Sequence, residues 1–283
     1  MVAAAGLAIS TPAGAEWLFD ADAGAFYDSN LTNAQNQPDI RADFAAALAG
    51  SVGSFYALTG SDSITLSINA SGEAYHRFHG LNLLGIGASV DYRHKFGLGY
   101  SAPWLRIAGS ASYDSYQQDL RTGARWSALA ELGERFTEQL DAAIGGVLER
   151  RYGPNGEAVV PGIPGTVFNL QGQSAYLRAG YSPIDALLLT AKLEIRRGDV
   201  VSTTRRNFAI FEASSAIAAD PTFGPDFFAY RLRGTTGTAT ASASWALNER
   251  SSINFVYAGE KTRAYDDLDY RSYRISLSYA YRY

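Results

Sequence analysis

The chain closes on SYRISLSYAYRY, residues 272–283. Odd positions carry Tyr273, Ile275, Leu277, Tyr279, Tyr281 and Tyr283; even positions carry Ser272, Arg274, Ser276, Ser278, Ala280 and Arg282. Successive side chains on a strand point to opposite faces. One face is therefore apolar and aromatic, the other polar and cationic. Such a strand is either the edge of a soluble sheet or a membrane strand whose greasy face meets lipid. The remainder of the chain decides between the two.

The same period of two recurs almost everywhere. Ile64, Leu66, Ile68, Ala70, Gly72 and Ala74 alternate with Ser63, Thr65, Ser67, Asn69, Ser71 and Glu73. Leu105, Ile107, Gly109, Ala111 and Tyr113 face away from Arg106, Ser110, Ser112 and Asp114. Leu187, Leu189, Ala191, Leu193 and Ile195 oppose Thr190, Lys192, Glu194 and Arg196. Helical spacing fits none of these as well. The stretch ELGERFTEQLDAA, 131–143, reads as a helix or as a turn between two strands. Strands are expected near 16–28, 41–58, 62–78, 83–97, 103–117, 123–137, 141–153, 165–181, 186–198, 227–247, 251–264 and 270–283. That is about twelve, with ten or fourteen as alternatives, and an even count is usual for bacterial single-chain barrels.

Composition agrees with a β-rich chain. The 283 residues include 28 glycines, 18 tyrosines and 14 phenylalanines, and no cysteine. No disulfide framework or zinc–thiolate site can exist. A net charge of -4 is too mild to point to nucleic acid. Beyond the N-terminus no run of ~18 apolar residues occurs, which excludes helical membrane spans. The opening MVAAAGLAISTPAGAEW resembles the apolar part of a signal peptide, with Ala13-Gly14-Ala15 as a cleavage pattern, although its basic leader is missing. Residues 1–15 are thus expected to be an export segment, and 16–283 one domain.

The connections alternate in length. LTGSD, FGLGYSAP, FTEQ, SPID and LNERS are short; DSNLTNAQNQPDI, HRFHGLN, YQQDLRTGA, GPNGEAVVPGIPG, 199–226 and TRAYDDLDYR are longer. Short periplasmic turns and long external loops have this organisation, and both termini are then periplasmic. Trp17, Phe96, Trp104, Phe136, Tyr181, Trp245 and Tyr281 fall near the short-turn ends. Tyr27, Phe44, Tyr113, Trp126, Tyr257 and Tyr273 fall near the other ends. Amphipathic rings favour membrane interfaces, so two girdles are expected, including Trp17, Trp104, Trp126, Trp245 and Tyr281.

Alternation, turn asymmetry and the aromatic ending together resemble bacterial outer-membrane β-barrel proteins of the porin-like kind. The resemblance implies an all-β, antiparallel up-and-down transmembrane barrel. It also implies that Tyr279, Tyr281 and Tyr283 belong to the C-terminal signal read by the barrel assembly machinery; the usual last residue is Phe, and Tyr283 departs mildly. Outer-membrane lipid and lipopolysaccharide are the implied surroundings. The triplet at Asp28, Ser29 and Asn30 is too short to assign a subfamily.

The inward face would carry Asp20, Asp22, Glu73, Arg77, Asp91, Arg93, Arg106, Arg125, Glu131, Arg135, Glu149, Arg151, Arg178, Lys192, Glu194, Arg196, Glu260, Arg274 and Arg282. These charges either pair with one another or form rings that select solutes. Arginines outnumber acids at mid-barrel and in later strands, which leans toward anionic solutes through Arg106, Arg125, Arg178, Arg196 and Arg274. VSTTRRNFAIFEASSAIAADPTFGP, 201–225, is the expected plug or lid, with Arg205, Arg206, Phe208 and Phe211 as its leading residues, since loops of this length are usually functional or disordered.

No catalytic constellation emerges. His76, His79 and His94 lack a serine two residues on, and Asp20 and Asp22 sit at the short-turn end without a histidine. Asp266, Asp267 and Asp269 read as a solvated acidic loop before a calcium site. No metal or cofactor is expected. A porin-like channel for small hydrophilic solutes is the leading reading. A barrel anchoring or exporting a surface assembly, through its long loops or as an oligomer, is the alternative; an outer-membrane enzyme or a soluble exported sandwich is less favoured.

Overall fold

The computed structural model describes residues 16–97, 99–264 and 268–283. The expected export segment and Asp266 and Asp267 lie outside the described residues.

The strands are β1 (Glu16–Asp28), β2 (Asp43–Ala57), β3 (Asp62–Tyr75), β4 (Leu83–Lys95), β5 (Trp104–Tyr116), β6 (Gly123–Arg135), β7 (Leu140–Tyr152), β8 (Gly156–Val160), β9 (Ile163–Gly165), β10 (Leu170–Ile184), β11 (Leu187–Arg205), β12 (Ala216–Ala219), β13 (Phe227–Asn248), β14 (Ser251–Ala264) and β15 (Asp269–Arg282). Twelve of them, β1–β7, β10, β11 and β13–β15, each pair antiparallel with the next along the chain, and β15 pairs back onto β1. The twelve form a closed, up-and-down barrel with no free edge along its wall. Closure is what lipid demands, because it offers no partner for backbone N–H and C=O groups. At ~3.3 Å per residue, the 13 residues of β1 reach ~43 Å, or ~30 Å along the axis at the usual tilt of about 45°.

The closing strand fixes the faces. Tyr281 lies opposite Ala21, Leu277 opposite Ala25 and Arg282 opposite Asp20. Residues directly opposite share a face, so each parity carries round the barrel. The outward face holds Leu48, Ile68, Leu84, Ile86, Leu177, Leu193, Ile195 and Leu277, each more than half exposed. An apolar surface of this extent on every strand exceeds anything a soluble monomer presents to water. Trp17, Phe96, Phe136, Tyr181 and Trp245 are outward at the short-turn end, with Tyr281 on the same outward parity; Phe44, Tyr113, Trp126, Tyr257 and Tyr273 are outward at the other.

Trp104 corrects the expectation. It lies inward, 7% exposed, with the Arg93 guanidinium 4.9 Å from its ring centre. It shares the parity of Arg106, and Gly133 opposite leaves the space: a Cβ there would come within 2.3 Å of the indole. The segment 131–143 is no helix; it is the end of β6, a turn and the start of β7.

The three buried apolar clusters all sit at the long-loop end. A membrane barrel is apolar outside, so its buried core must be built elsewhere. Here the loops supply it.

Candidate functional site

The site is the lumen together with the layer that covers its long-loop mouth. Small polar residues line much of the wall. Ser67 and Ser89 hydroxyls lie 2.7 Å apart, and Ser110 and Ser127 2.8 Å apart. Thr238, Thr240, Ser242 and Ser244 descend β13 on the same face. Toward the short turns, a cavity of about 710 Å³ opens between Asp20, Asp22, Ser51, Asn69, Ser252 and Arg282.

Long charged side chains project from β4–β7, β10 and β11 and pair, most of them across strands. The Arg106 Nε donates to Asp91 at 2.6 Å. The Tyr176 hydroxyl donates to Glu131 at 2.8 Å, and Arg178 bridges Glu131 at 3.5 Å and Asp141 at 3.2 Å. Gly145, opposite both Glu131 and Tyr176, makes this contact possible, since a Cβ there would meet the phenol at 2.5 Å. Lys192 pairs with Glu194 and sits 4.5 Å from the Tyr176 ring centre. Arg196 Nε reaches Glu149 at 2.5 Å, and Arg125 lies 3.6 Å from Asp114. On the facing wall Arg282 pairs with Asp20 at 2.5 Å and Arg274 with Asp28 at 3.0 Å. The expected selectivity residues are thus all inward, and every one is in an ion pair. Arg93 and Arg135 are the contrast. Neither has a carboxylate partner among the described residues, and each lies on an aromatic ring near the short-turn mouth, Trp104 and Tyr100 respectively. Arg77 lies beyond the end of β3, against Phe78.

The long-loop mouth is covered. The segment 201–225, expected as a plug or lid, is largely ordered secondary structure. Residues 201–205 continue β11 and pair with 227–231 of β13. A short helix α1 (Phe208–Ala213) follows, capped by the Asn207 side chain, and then β12 pairs with β13. Arg205 is therefore a strand residue, held 2.6 Å from Asp39. Phe208 is 75% exposed and stacks on Phe211 at 6.3 Å, with Arg206 over Phe228. These four do not enter the lumen.

The residues that cross the mouth come next. Asp220 is fully buried and takes both Arg121 guanidinium nitrogens, at 2.9 and 2.5 Å. Thr203 adds a hydroxyl to the same carboxylate at 3.3 Å. Phe223 lands in a cluster with Phe26, Ala45, Tyr75, Leu81 and Phe227. The first three are inward residues of β1, β2 and β3, so the contact runs across the mouth from β13 to the wall that reaches round to the side facing β11. The β1–β2 loop is tied in as well: Asn30 is buried and donates to the Ala34 and Arg271 carbonyls, both at 2.9 Å, and Thr203 N–H donates to the Thr32 carbonyl at 2.7 Å. In this cap, burial pushes the Tyr230 hydroxyl above its ordinary pKa. Sequence reading missed Arg121, Asp220 and Phe223. Their partners lie on other loops, and no periodicity signals such contacts.

No group of three or more metal-ligating side chains gathers among the described residues. His94 Nδ1 lies 2.8 Å from Asp62 at a short turn, where the Tyr92 hydroxyl also donates at 2.6 Å. The Thr59 hydroxyl donates to the same carboxylate, not to the histidine, so no base–nucleophile pair forms. Asp269 is bound to Lys261 and Arg263, each at 3.4 Å.

No family model and no curated protein matches the chain. Solved structures do. An outer membrane channel from Pseudomonas putida F1 superimposes over 100% of both chains with a TM-score of 0.59 at 9% identity. The CymD monoaromatic hydrocarbon channel superimposes over 95% of this chain and 89% of its own, with a TM-score of 0.51 at 9% identity. At such identity the likeness concerns the fold alone. What the closing strand implied for one edge holds round the whole sheet: the chain has the porin-like β-barrel fold of Gram-negative outer-membrane proteins.

Proposed function

We propose that the chain is an outer-membrane channel passing small hydrophilic solutes, with both termini on the periplasmic side and a loop cap that restricts the outer mouth. The observation that carries this reading is the lumen wall. Ser, Thr and Asn line it where a purely structural barrel of this size would be filled by large side chains, and water reaches Ser110 and Arg125 on the inward face. The fold shared with outer-membrane channels supports it. The unpaired Arg93 and Arg135 lean the periplasmic mouth toward anions. Tyr279, Tyr281 and Tyr283 would be the segment that the barrel assembly machinery reads.

Planar-bilayer recording tests the proposal. The folded barrel should conduct in brief openings, and Arg121→Ala should lengthen or enlarge them by releasing the cap. Silence of the wild type, of Arg121→Ala and of a variant lacking residues 208–219, each shown to be folded by a heat-dependent gel shift, would overturn the channel and favour an anchoring role.

A further inference from the structure

The outward wall near the long-loop end carries an unusual set of cations. On one register row Leu148, Gln173, Arg197, Thr235 and Arg263 lie side by side across β7, β10, β11, β13 and β14. Directly above, Arg150 lies opposite Gln171, and Asp199 opposite Arg233. All of these but Asp199 line a groove of about 760 Å³, flanked by Trp126, which lies opposite Arg150. Arg150 and Arg197 have no carboxylate partner among the described residues. Arg233 reaches Asp199 only at 3.8 Å, with its side chain 76% exposed.

A second groove of about 770 Å³ runs on from the first and shares Leu148, Gln173, Arg197 and Thr235 with it. Its remaining outward lining is apolar or small: Ile107, Ala128, Ala130, Gly146, Ala175 and Ile195. The two grooves form one slot, cationic and amide-lined at the level of the interface and apolar below it. On the opposite wall the long-loop ends of β2 and β4 present Phe44 and Leu84 instead. The arginines are therefore a local feature and not a belt.

We infer that this slot is a binding site for one outer-leaflet lipid, a phosphorylated saccharide headgroup on acyl chains, of which lipopolysaccharide is the representative. Guanidinium groups bind phosphate oxygens in bidentate fashion. Gln171 and Gln173 offer amides to sugar hydroxyls. The floor of small residues lets an acyl chain lie against the wall, where a row of leucines would push it off. A soluble anion would use the upper groove alone and leave the lower one without a purpose. The inference rests on the membrane reading but not on channel activity, and its test measures lipid rather than current.

Native mass spectrometry of the detergent-folded barrel, with diphosphorylated lipid A as the probe, reads the site directly. Wild type should retain the lipid at about ten-fold lower concentration than a variant carrying Arg150→Gln, Arg197→Gln, Arg233→Gln and Arg263→Gln. It should also prefer diphosphorylated over dephosphorylated lipid A and over phosphatidylglycerol, and inorganic phosphate at equal concentration should not displace the probe. A variant with Ala128→Leu and Ala175→Leu, all arginines intact, should lose retention too. Equal retention by wild type and the four-fold variant, both showing the heat-dependent gel shift, overturns the site. Equal retention of phosphatidylglycerol, or displacement by inorganic phosphate, overturns its assignment to a phosphorylated saccharide lipid.

Discussion

Asp220 has no water contact, and its carboxylate is neutralised by Arg121 from another loop. Removing one partner of a buried pair leaves the other charged in an apolar place, at a cost of about 3–5 kcal/mol, whereas removing both can be nearly neutral. Arg121→Ala and Asp220→Ala should therefore each open the cap, while the double variant opens it less than either single one. Limited proteolysis of loop 206–226 in detergent micelles measures this, and single variants cleaved no faster than wild type would show that the pair does not hold the cap. Asn30 is a second residue of this kind. Its carboxamide accepts from Thr32 and from the Ala34 N–H and donates to two carbonyls, which organises the β1–β2 loop. The sequence showed a polar triplet there and nothing of its role. Trp104 differs: its parity with Arg106 was visible, and only its position near a strand end suggested the outer belt.

At the scale of the element, alternation made the twelve barrel strands readable, because a face that meets lipid must be apolar at every second residue. Strand ends were less readable. β11 and β13 run past the barrel wall as an overhang, where residues on the inward parity turn from polar to apolar and pack under the cap. Val200, Tyr230 and Leu232 share the parity of Arg196 and Thr236 and are buried in that way; a period of two gives their face but not the point where a wet lumen becomes a packed core. β12 and the β8–β9 hairpin were hidden for the same reason, being short strands held by neighbours. The closing strand allows a sharp test. Leu277 is outward and 56% exposed, and Ser276 is inward. An arginine on the lipid face at mid-depth costs ~2–4 kcal/mol, so Leu277→Arg should lower the yield of heat-modifiable barrel several-fold, and Ser276→Arg should not. Equal yields would reverse the assigned faces.

For the whole molecule, the lumen's charge matters through its arrangement and not its total. The arginine excess that pointed to anionic solutes is largely cancelled locally. Arg106 with Asp91, Arg178 with Glu131 and Asp141, and Arg196 with Glu149 are close pairs whose fields fade within a few ångströms. A lone charge ~7 Å from a permeating ion in water contributes about 0.6 kcal/mol, close to thermal energy, and therefore changes local ion occupancy two- to three-fold. Arg93 and Arg135 are charges of that kind at the short-turn mouth. If the channel conducts, it should prefer chloride to potassium modestly. Arg93→Gln with Arg135→Gln should move the reversal potential under a salt gradient toward potassium. Replacing a close pair together, Arg106→Gln with Asp91→Asn, should leave that potential where it was. The shift should also shrink as salt is raised, since exposed charges are screened over ~10 Å at 0.1 M. A pair replacement that moved the potential as much as the two unpaired arginines would mean that the ion path runs along the β4–β11 wall, with its selectivity set by the pairs themselves.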